Sequence, residues 1–347
     1  MEISCACGGD CQHQKKSKRD ALPGDGHTVC QCRSGADHIK IDPTMDQVAA
    51  TPGNEIEKES FTGTRPSDTA QNQADLKTRI IQSIKDLPPM PRVVIEIQNL
   101  ISDLNSDITQ LTAIIETDQA IAAKVLKIAN SAYYGMSGKI STIHQASILL
   151  GYRVLGEIVT MAGAVDILSG SMPGYGYDSE ELWRHSLTVA FSAKLIAELK
   201  HKNLIHQAHT AGLIHDVGKI ILDKHILDHM DSISVYMVQG EKSFLEAERH
   251  IFGFDHAEIA SEVCRTWKIP DKISLAIGSH HQPSLSNGDE LSYIVHVADY
   301  IATMGGIGYD DDDALREPET GAMSFLNLKQ TDLSAIMVMA LEAASNF

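Results

Sequence analysis

From Asp75 onward, apolar residues recur three and four positions apart, and no alternating pattern is long enough for a strand. Leu76, Ile80, Ile81 and Ile84 form a first helical stripe. It is stopped by Leu87-Pro88-Pro89-Met90-Pro91, because proline lacks the amide and clashes with the preceding turn. Val93, Val94, Ile97, Leu100, Ile101 and Leu104 make the next apolar face. Ser106 or Asp107 can cap a short helix through Leu111, Ile114 and Ile115. Asp118 can cap the one after, with Ile121, Val125, Leu126 and Ile128 inward. Asn130–Gly135 breaks the pattern. Ser141-Thr142 then precede a helix carrying Ile143, Ala146 and Leu149-Leu150, and Gly151 leads into Val154–Leu168.

Ser169–Tyr177, Ser-Gly-Ser-Met-Pro-Gly-Tyr-Gly-Tyr, is a loop by composition. A second helical region follows: Glu180–Leu199, His206–Leu222, Ile226–Val238 and Phe244–Phe252, then His256–Trp267 capped by Asp255, Asp271–His281, Leu291–Met304 and Leu333–Ala344. The expected fold class is all-α, a multi-helix bundle of two helical subdomains over 75–170 and 178–305. An acidic loop, Asp310–Asp313, and a helix fill 306–347; the loop has no EF-hand spacing and reads as solvated. Residues 1–74 have few large apolar side chains and much Gly, Pro, Ser, Thr, Asp and Gln. They read as a disordered tail that cannot offset its ordering entropy.

Charge narrows the partners. At −17 over 347 residues the chain is a poor ligand for nucleic acid or anionic membrane, and its only basic run is Lys15-Lys16-Ser17-Lys18-Arg19. Val154–Gly170 resembles a membrane span until Glu157 and Asp166 are counted. With no apolar leader at the N-terminus, a cytoplasmic protein is expected. Cys5, Cys7, Cys11, Cys30 and Cys32 sit together in the tail. Their C-x-C spacing lacks the C-x2-C pairs of a zinc ribbon, which leaves a second metal site, a redox site or an unstructured thiol-rich tail. Cys264 falls in a helical apolar pattern and reads as core.

Candidate chemistry centres on Ala211–Leu222, where His215, Asp216 and Lys219 interrupt an apolar run. Adjacent His and Asp are expensive to bury unpaired, and a divalent metal is an economical partner for imidazole and carboxylate. A helix end bonding its own backbone is the plainer alternative. His185 in mid-helix, His256 opening a helix, the pair His280-His281 closing one, and Asp299 in the apolar run Ile294–Ile301 extend the set. Each alone reads as a satisfied core or capping residue. Together they are donors from several helices, which a bundle can converge on one inward site.

In this order, His185…His215-Asp216-Val217-Gly218-Lys219…His280-His281…Asp299 resembles the HD superfamily of metal-dependent phosphohydrolases. More closely, Asp75 to about Ala302 resembles the HDOD domain, the HD-related output domain of bacterial signalling proteins. Leu87–Pro91, Ile128–Gly135, Ile140–Ile143 and Ala146–Gly151 are similar to that family's N-terminal part, and Leu182–Ser186 and Gly212–Lys219 to its HD-like part. The resemblance implies a regulatory, signal-transducing module that acts through a nucleotide ligand or a signalling partner, with a metal-dependent nucleotide or cyclic-dinucleotide phosphohydrolase as the alternative. It implies His185, His215, Asp216 and Asp299 as the basic metal set, with Fe, Mn or Zn as the ion. It further implies His256, His280 and His281 as the histidines of a second ion, Asp216 as the bridge, and Lys219 as the group that offsets phosphoryl charge. Two-metal HD-GYP cyclic di-GMP phosphodiesterases continue after the paired histidines into Gly-Tyr-Pro. Here the chain reads His281-Gln282-Pro283-Ser284-Leu285, and Gly174-Tyr175-Gly176 lies in the wrong place along the chain to replace that motif.

Overall fold

The computed structural model of the chain describes residues 66–102, 107–135, 139–178, 180–240, 242–307 and 317–347. The five tail cysteines, the Lys15–Arg19 run and the Asp310–Asp313 loop lie outside the described residues. Among the described residues, every element longer than one isolated bridge is helical, as the apolar spacing requires. The α-helices are Pro66–Ser83 (α1), Arg92–Ser102 (α2), Ile108–Glu116 (α3), Gln119–Ala129 (α4), Ile143–Leu168 (α5), Glu181–Lys200 (α6), Ile205–Ile214 (α7) and Val217–Asp228 (α8). They continue with Met230–Gly240 (α9), Phe244–Phe252 (α10), His256–Thr266 (α11), Asp271–Gly278 (α12), Glu290–Met304 (α13), Ala322–Phe325 (α14) and Gln330–Ala344 (α15).

Several starts are set by side chains that satisfy first-turn amides. Asp107 accepts from the amides of Thr109 and Gln110, and Asp118 from Ala120 and Ile121. Thr142 caps α5 through the Gln145 amide, and Asp255 caps α11 through Glu258. Helix α1 begins at Pro66, nine residues before the change of texture at Asp75, with proline in the first turn where its missing amide costs nothing.

Helices α2, α3 and α4 pack on α5, which in turn reaches α6 and α7. Gly151, at φ 82° and ψ 166°, breaks α5 into two helical pieces. In the first piece Ile148 and Leu149 are exposed. The second piece is core: Leu155–Ala164 is buried without interruption. Among the described residues, α5 is the one helix long and apolar enough to cross a membrane, with a mean hydropathy of 1.5 in its best window, and 56% of that window is buried inside the protein. Its buried Glu157 is paired within the fold, to Lys194 Nζ at 2.6 Å and His206 Nδ1 at 3.1 Å.

Helix α6 lies along α7, α13 and α15, while α8 packs on α11, and α11 on α12. Two helices expected as single rods are each two. His206–Leu222 breaks at His215-Asp216, between α7 and α8, and Ile226–Val238 breaks at His229, which is the C-cap of α8. His280-His281, expected to close a helix, lie just beyond the end of α12.

Candidate metal centre

The break between α7 and α8 builds the centre. Helix α7 ends at Ile214, and Asp216, at φ −97° and ψ 10°, opens α8 without capping it. Its carboxylate is therefore left for the interior. Two glycines bring this junction close to its neighbours. A Cβ on Gly212 would sit 2.9 Å from Ala190 Cα of α6, and one on Gly218 would sit 2.7 Å from the Ala260 amide nitrogen and against the His256 carbonyl of α11. These close crossings bring His185, on α6, and His256, at the start of α11, to the junction.

Four histidines are oriented the same way. Nδ1 of His185 donates to the Ile307 carbonyl at 2.9 Å, that of His215 to Gly212 at 2.8 Å and that of His280 to Ile277 at 2.7 Å. His256 Nδ1 donates to the fully buried Glu248 carboxylate at 2.9 Å. Each leaves Nε2 turned to a common centre, the arrangement by which outer partners fix the tautomer of metal-binding histidines.

Asp216 lies between two groups of these nitrogens. Its Oδ2 is 3.4 Å from His215 Nε2 and 3.6 Å from His185 Nε2, while Oδ1 is 3.3 Å from His256 Nε2 and 3.8 Å from His280 Nε2. Asp299 Oδ1 joins the first group, 3.1 Å from His185 and 3.5 Å from His215. His281 joins the second, with Nε2 2.8 Å from that of His256. The donors form three overlapping trios, His185–His215–Asp216, His215–His280–Asp299 and His256–His280–His281, each within 4.8 Å. All seven expected ligands thus come together.

Burial and the two carboxylates set the electrostatics of the cluster. Burial disfavours charge on His215, but Asp216 and Asp299 outweigh it and raise its pKa to about 9. Glu248 and Asp216 likewise hold His256 well above the ordinary histidine value against its burial. Burial and the nearby His215 push His280 down to about 3, and burial with His280 pushes His281 down as well. Asp216 is held well below the carboxylate range, the His215 and Lys219 charges overcoming burial. Even so, Asp216 Oδ1 and His280 Nε2 are buried without a hydrogen-bond partner. A carboxylate set among imidazole nitrogens at 3.3–3.8 Å has the donor types and the spacing to share a cation that would replace the imidazole protons. The residues present fit a divalent metal.

Lys219 completes the floor. It is buried, with Nζ 2.9 Å from Asp216 Oδ2 and 3.3 Å from the Tyr177 hydroxyl. A cleft of about 290 Å³ opens over the centre, lined by His185, Asp216, Lys219, His281, Asp299 and Tyr177 among others. Sequence reasoning missed three groups that hold this site. Glu248 reads as one more acid on the amphipathic helix α10, Tyr175 and Tyr177 as loop residues, and His296 as part of an apolar run. His296 Nδ1 donates to the His280 carbonyl at 2.7 Å, and its Nε2 accepts from the Glu319 amide at 2.8 Å.

The HDOD domain family model matches residues 87–283, more than half of the chain. An uncharacterized protein of Treponema pallidum (strain Nichols) is 25% identical over 209 residues, 59% of this chain. The chain spans only 40% of the length of that curated relative. An HDOD domain protein of unknown function from Geobacter sulfurreducens, solved by crystallography, has a similar fold, with a TM-score of 0.64 at 24% identity; the match covers 80% of this chain and 98% of that one.

Proposed function

The chain belongs to the HDOD domain family, and on that premise we propose that it is a signal-transduction module built on a divalent-metal centre, which acts by binding a phosphorylated ligand in the cleft and relaying its state to a protein partner. The observation that carries the reading is the placement of Asp216, one oxygen toward each histidine group, with Oδ1 and His280 Nε2 buried and unsatisfied. His185, His215, Asp216 and Asp299 would hold one ion, and Asp216 with His256, His280 and His281 a second. Imidazole and carboxylate donors without thiolate suit Fe, Mn or Zn.

Bound there, divalent ions supply Lewis acidity toward a phosphoryl oxygen and acidify a bound water. The protein's own groups set what can approach. With the histidines neutral, two carboxylates, Asp216 and Asp299, face one ammonium, Lys219, so divalent ions turn the floor positive and favour an anionic ligand. Lys219 lies at the cleft floor where a phosphoryl oxygen would rest. Glu248 keeps His256 in the tautomer that presents Nε2.

A second reading, metal-dependent phosphohydrolase, is favoured by one observation: Asp299 is 20% exposed at the cleft, so the ligand set opens onto space for a substrate. One experiment separates the outcomes. Fe, Mn and Zn are quantified in the purified protein and in His215→Ala and Asp216→Ala, and each is assayed on a panel of nucleotides and cyclic dinucleotides. A wild type without metal refutes the centre. Metal without turnover supports the ligand-binding module, and turnover that disappears in Asp216→Ala supports the hydrolase.

A further inference from the structure

Gly174-Tyr175-Gly176-Tyr177 belongs to the loop before α6 and carries none of the metal ligands, yet it lies against the centre in space. The loop is closed by a reciprocal pair, the Met172 amide donating to the Tyr177 carbonyl at 2.9 Å and the Tyr177 amide to the Met172 carbonyl at 3.0 Å. Its tip is tied to α8: Asp223 Oδ1 accepts from the Gly174 amide at 2.7 Å and from the Tyr175 amide at 3.3 Å. Only glycine fits at 174, because a Cβ there would press on the Asp223 carbonyl and sit 2.9 Å from its Oδ1. Asp216, Lys219 and Asp223 fall on one side of α8 at spacings of three and four. One helix therefore carries the bridging carboxylate, the floor ammonium and the anchor of the loop.

A second tether reaches the other end of the centre. The Tyr175 hydroxyl donates to Glu248 at 2.7 Å, and the same carboxylate accepts from His256 Nδ1. The two rings enclose Lys219, whose Nζ lies 5.5 Å from the Tyr175 ring centre and 5.3 Å from that of Tyr177. The Tyr177 hydroxyl accepts from Lys219 Nζ, which orients its O–H hydrogen away from the ammonium, and Tyr177 is part of the cleft wall.

We infer that the Tyr177 hydroxyl and the Lys219 ammonium together form the phosphoryl-oxygen-binding edge of the cleft, presented by the Met172–Tyr177 loop, so that the ligand is recognised through a phosphoryl anion seated between this pair and the metal ligands. This rests on the metal-centre reading above, and the test keeps the two apart. The probe is inorganic phosphate, titrated calorimetrically into wild-type protein and Tyr177→Phe, both loaded with Mn²⁺ whose stoichiometry is measured beforehand. Phenylalanine keeps the ring and its burial, so Mn²⁺ content stays at the wild-type value and the melting temperature falls only by the loss of one hydrogen bond from Lys219. Phosphate affinity falls about tenfold, the worth of one hydrogen bond to a charged group.

Phosphate affinity within twofold of wild type in Tyr177→Phe overturns the inference and leaves the metal centre standing. So does a wild type that takes up Mn²⁺ and binds no phosphate. Loss of Mn²⁺ from Tyr177→Phe would make the tyrosine a structural support and also overturns it. A wild type that takes up none of Mn²⁺, Fe²⁺ and Zn²⁺ removes the metal reading and this inference with it. The loop is tested separately: Asp223→Ala weakens phosphate binding comparably, whereas Asp223→Asn, which keeps the acceptor oxygen, retains it. Equal loss in both variants contradicts the tether.

Discussion

Replacing Gly218 with alanine tests whether the close approach of α8 to α11 is what assembles the centre. The new Cβ would lie 2.7 Å from the Ala260 nitrogen, where ordinary contact begins near 3.4 Å, and still closer to the His256 carbonyl. Both obstacles are backbone inside a helix, so neither can rotate away. Relieving the Ala260 contact alone (3.4 − 2.7) requires the helices to part by at least about 0.7 Å. Asp216 is two residues upstream of Gly218, and its Oδ1 stands 3.3 Å from His256 Nε2. The same separation therefore opens the distance on which any shared ion depends. Overpacking a core costs about 1–3 kcal/mol, and an obstacle that cannot turn aside belongs at the upper end. A cost of about 3 kcal/mol lowers the melting temperature by about 4–5 °C in a protein of this size. Urea and thermal unfolding give the stability, and metal quantification gives occupancy. Gly156→Ala is the control. Its Cβ meets side chains only, Ile101 and Ile97, which can repack, so it costs less and leaves metal content alone. A Gly218→Ala protein as stable as the wild type, with full metal content, would refute the reasoning.

Glu248→Gln keeps an acceptor for His256 but removes its charge, so metal affinity is expected to fall about 10- to 100-fold with the fold intact; a metal titration at wild-type affinity contradicts this. The Glu157 cluster, outside the metal centre, sets an acid limit on stability. Burial raises the Glu157 carboxyl, but His206, His209 and Lys194 outweigh it and hold it at about 2, below an unfolded value near 4.5, so its contribution is present above that value and lost as pH falls toward 2. Burial lowers His209 to about 4 from 6.5, so its contribution also is present above pH 6.5 and is lost as pH falls toward 4. Urea midpoints should therefore drop progressively below pH 6.5, and His209→Leu should flatten the part of the slope between 6.5 and 4; an unchanged slope sinks the assignment.

The all-α class was legible because the spacing of apolar residues is helical nearly everywhere and the caps Asp107, Asp118, Thr142 and Asp255 are written in the chain. The convergence of His185, His215, Asp216, His256, His280, His281 and Asp299 was legible because ionisable residues placed in apolar helical surroundings need partners. What was hidden depends on tertiary contact. Nothing between His206 and Leu222 breaks a helix by composition, and the turn at His215-Asp216 exists where α6 and α11 crowd the chain at Gly212 and Gly218. Glu248 shares its helix with the half-exposed Glu246, and only the fold reveals that it is fully buried beneath His256. Tyr175 and Tyr177 belong to a loop without period, and their distance along the chain from Lys219 concealed that Asp223 ties the loop to the helix of the lysine.

The burial of α7 has a consequence for how the molecule opens. Ala208 through Ile214 are all buried, whereas in α9 the only residue classed as buried is Ile233. Backbone amides exchange with deuterium only when their hydrogen bonds open, and an element packed on all sides opens with the whole fold, while a helix lying on the surface opens by itself. The amides of α7 should be the slowest to exchange and report the global unfolding free energy, with those of α9 exchanging orders of magnitude faster. His215-Asp216 thus hang from the last part of the protein to loosen, and the centre keeps its shape through fluctuations that unravel the surface helices.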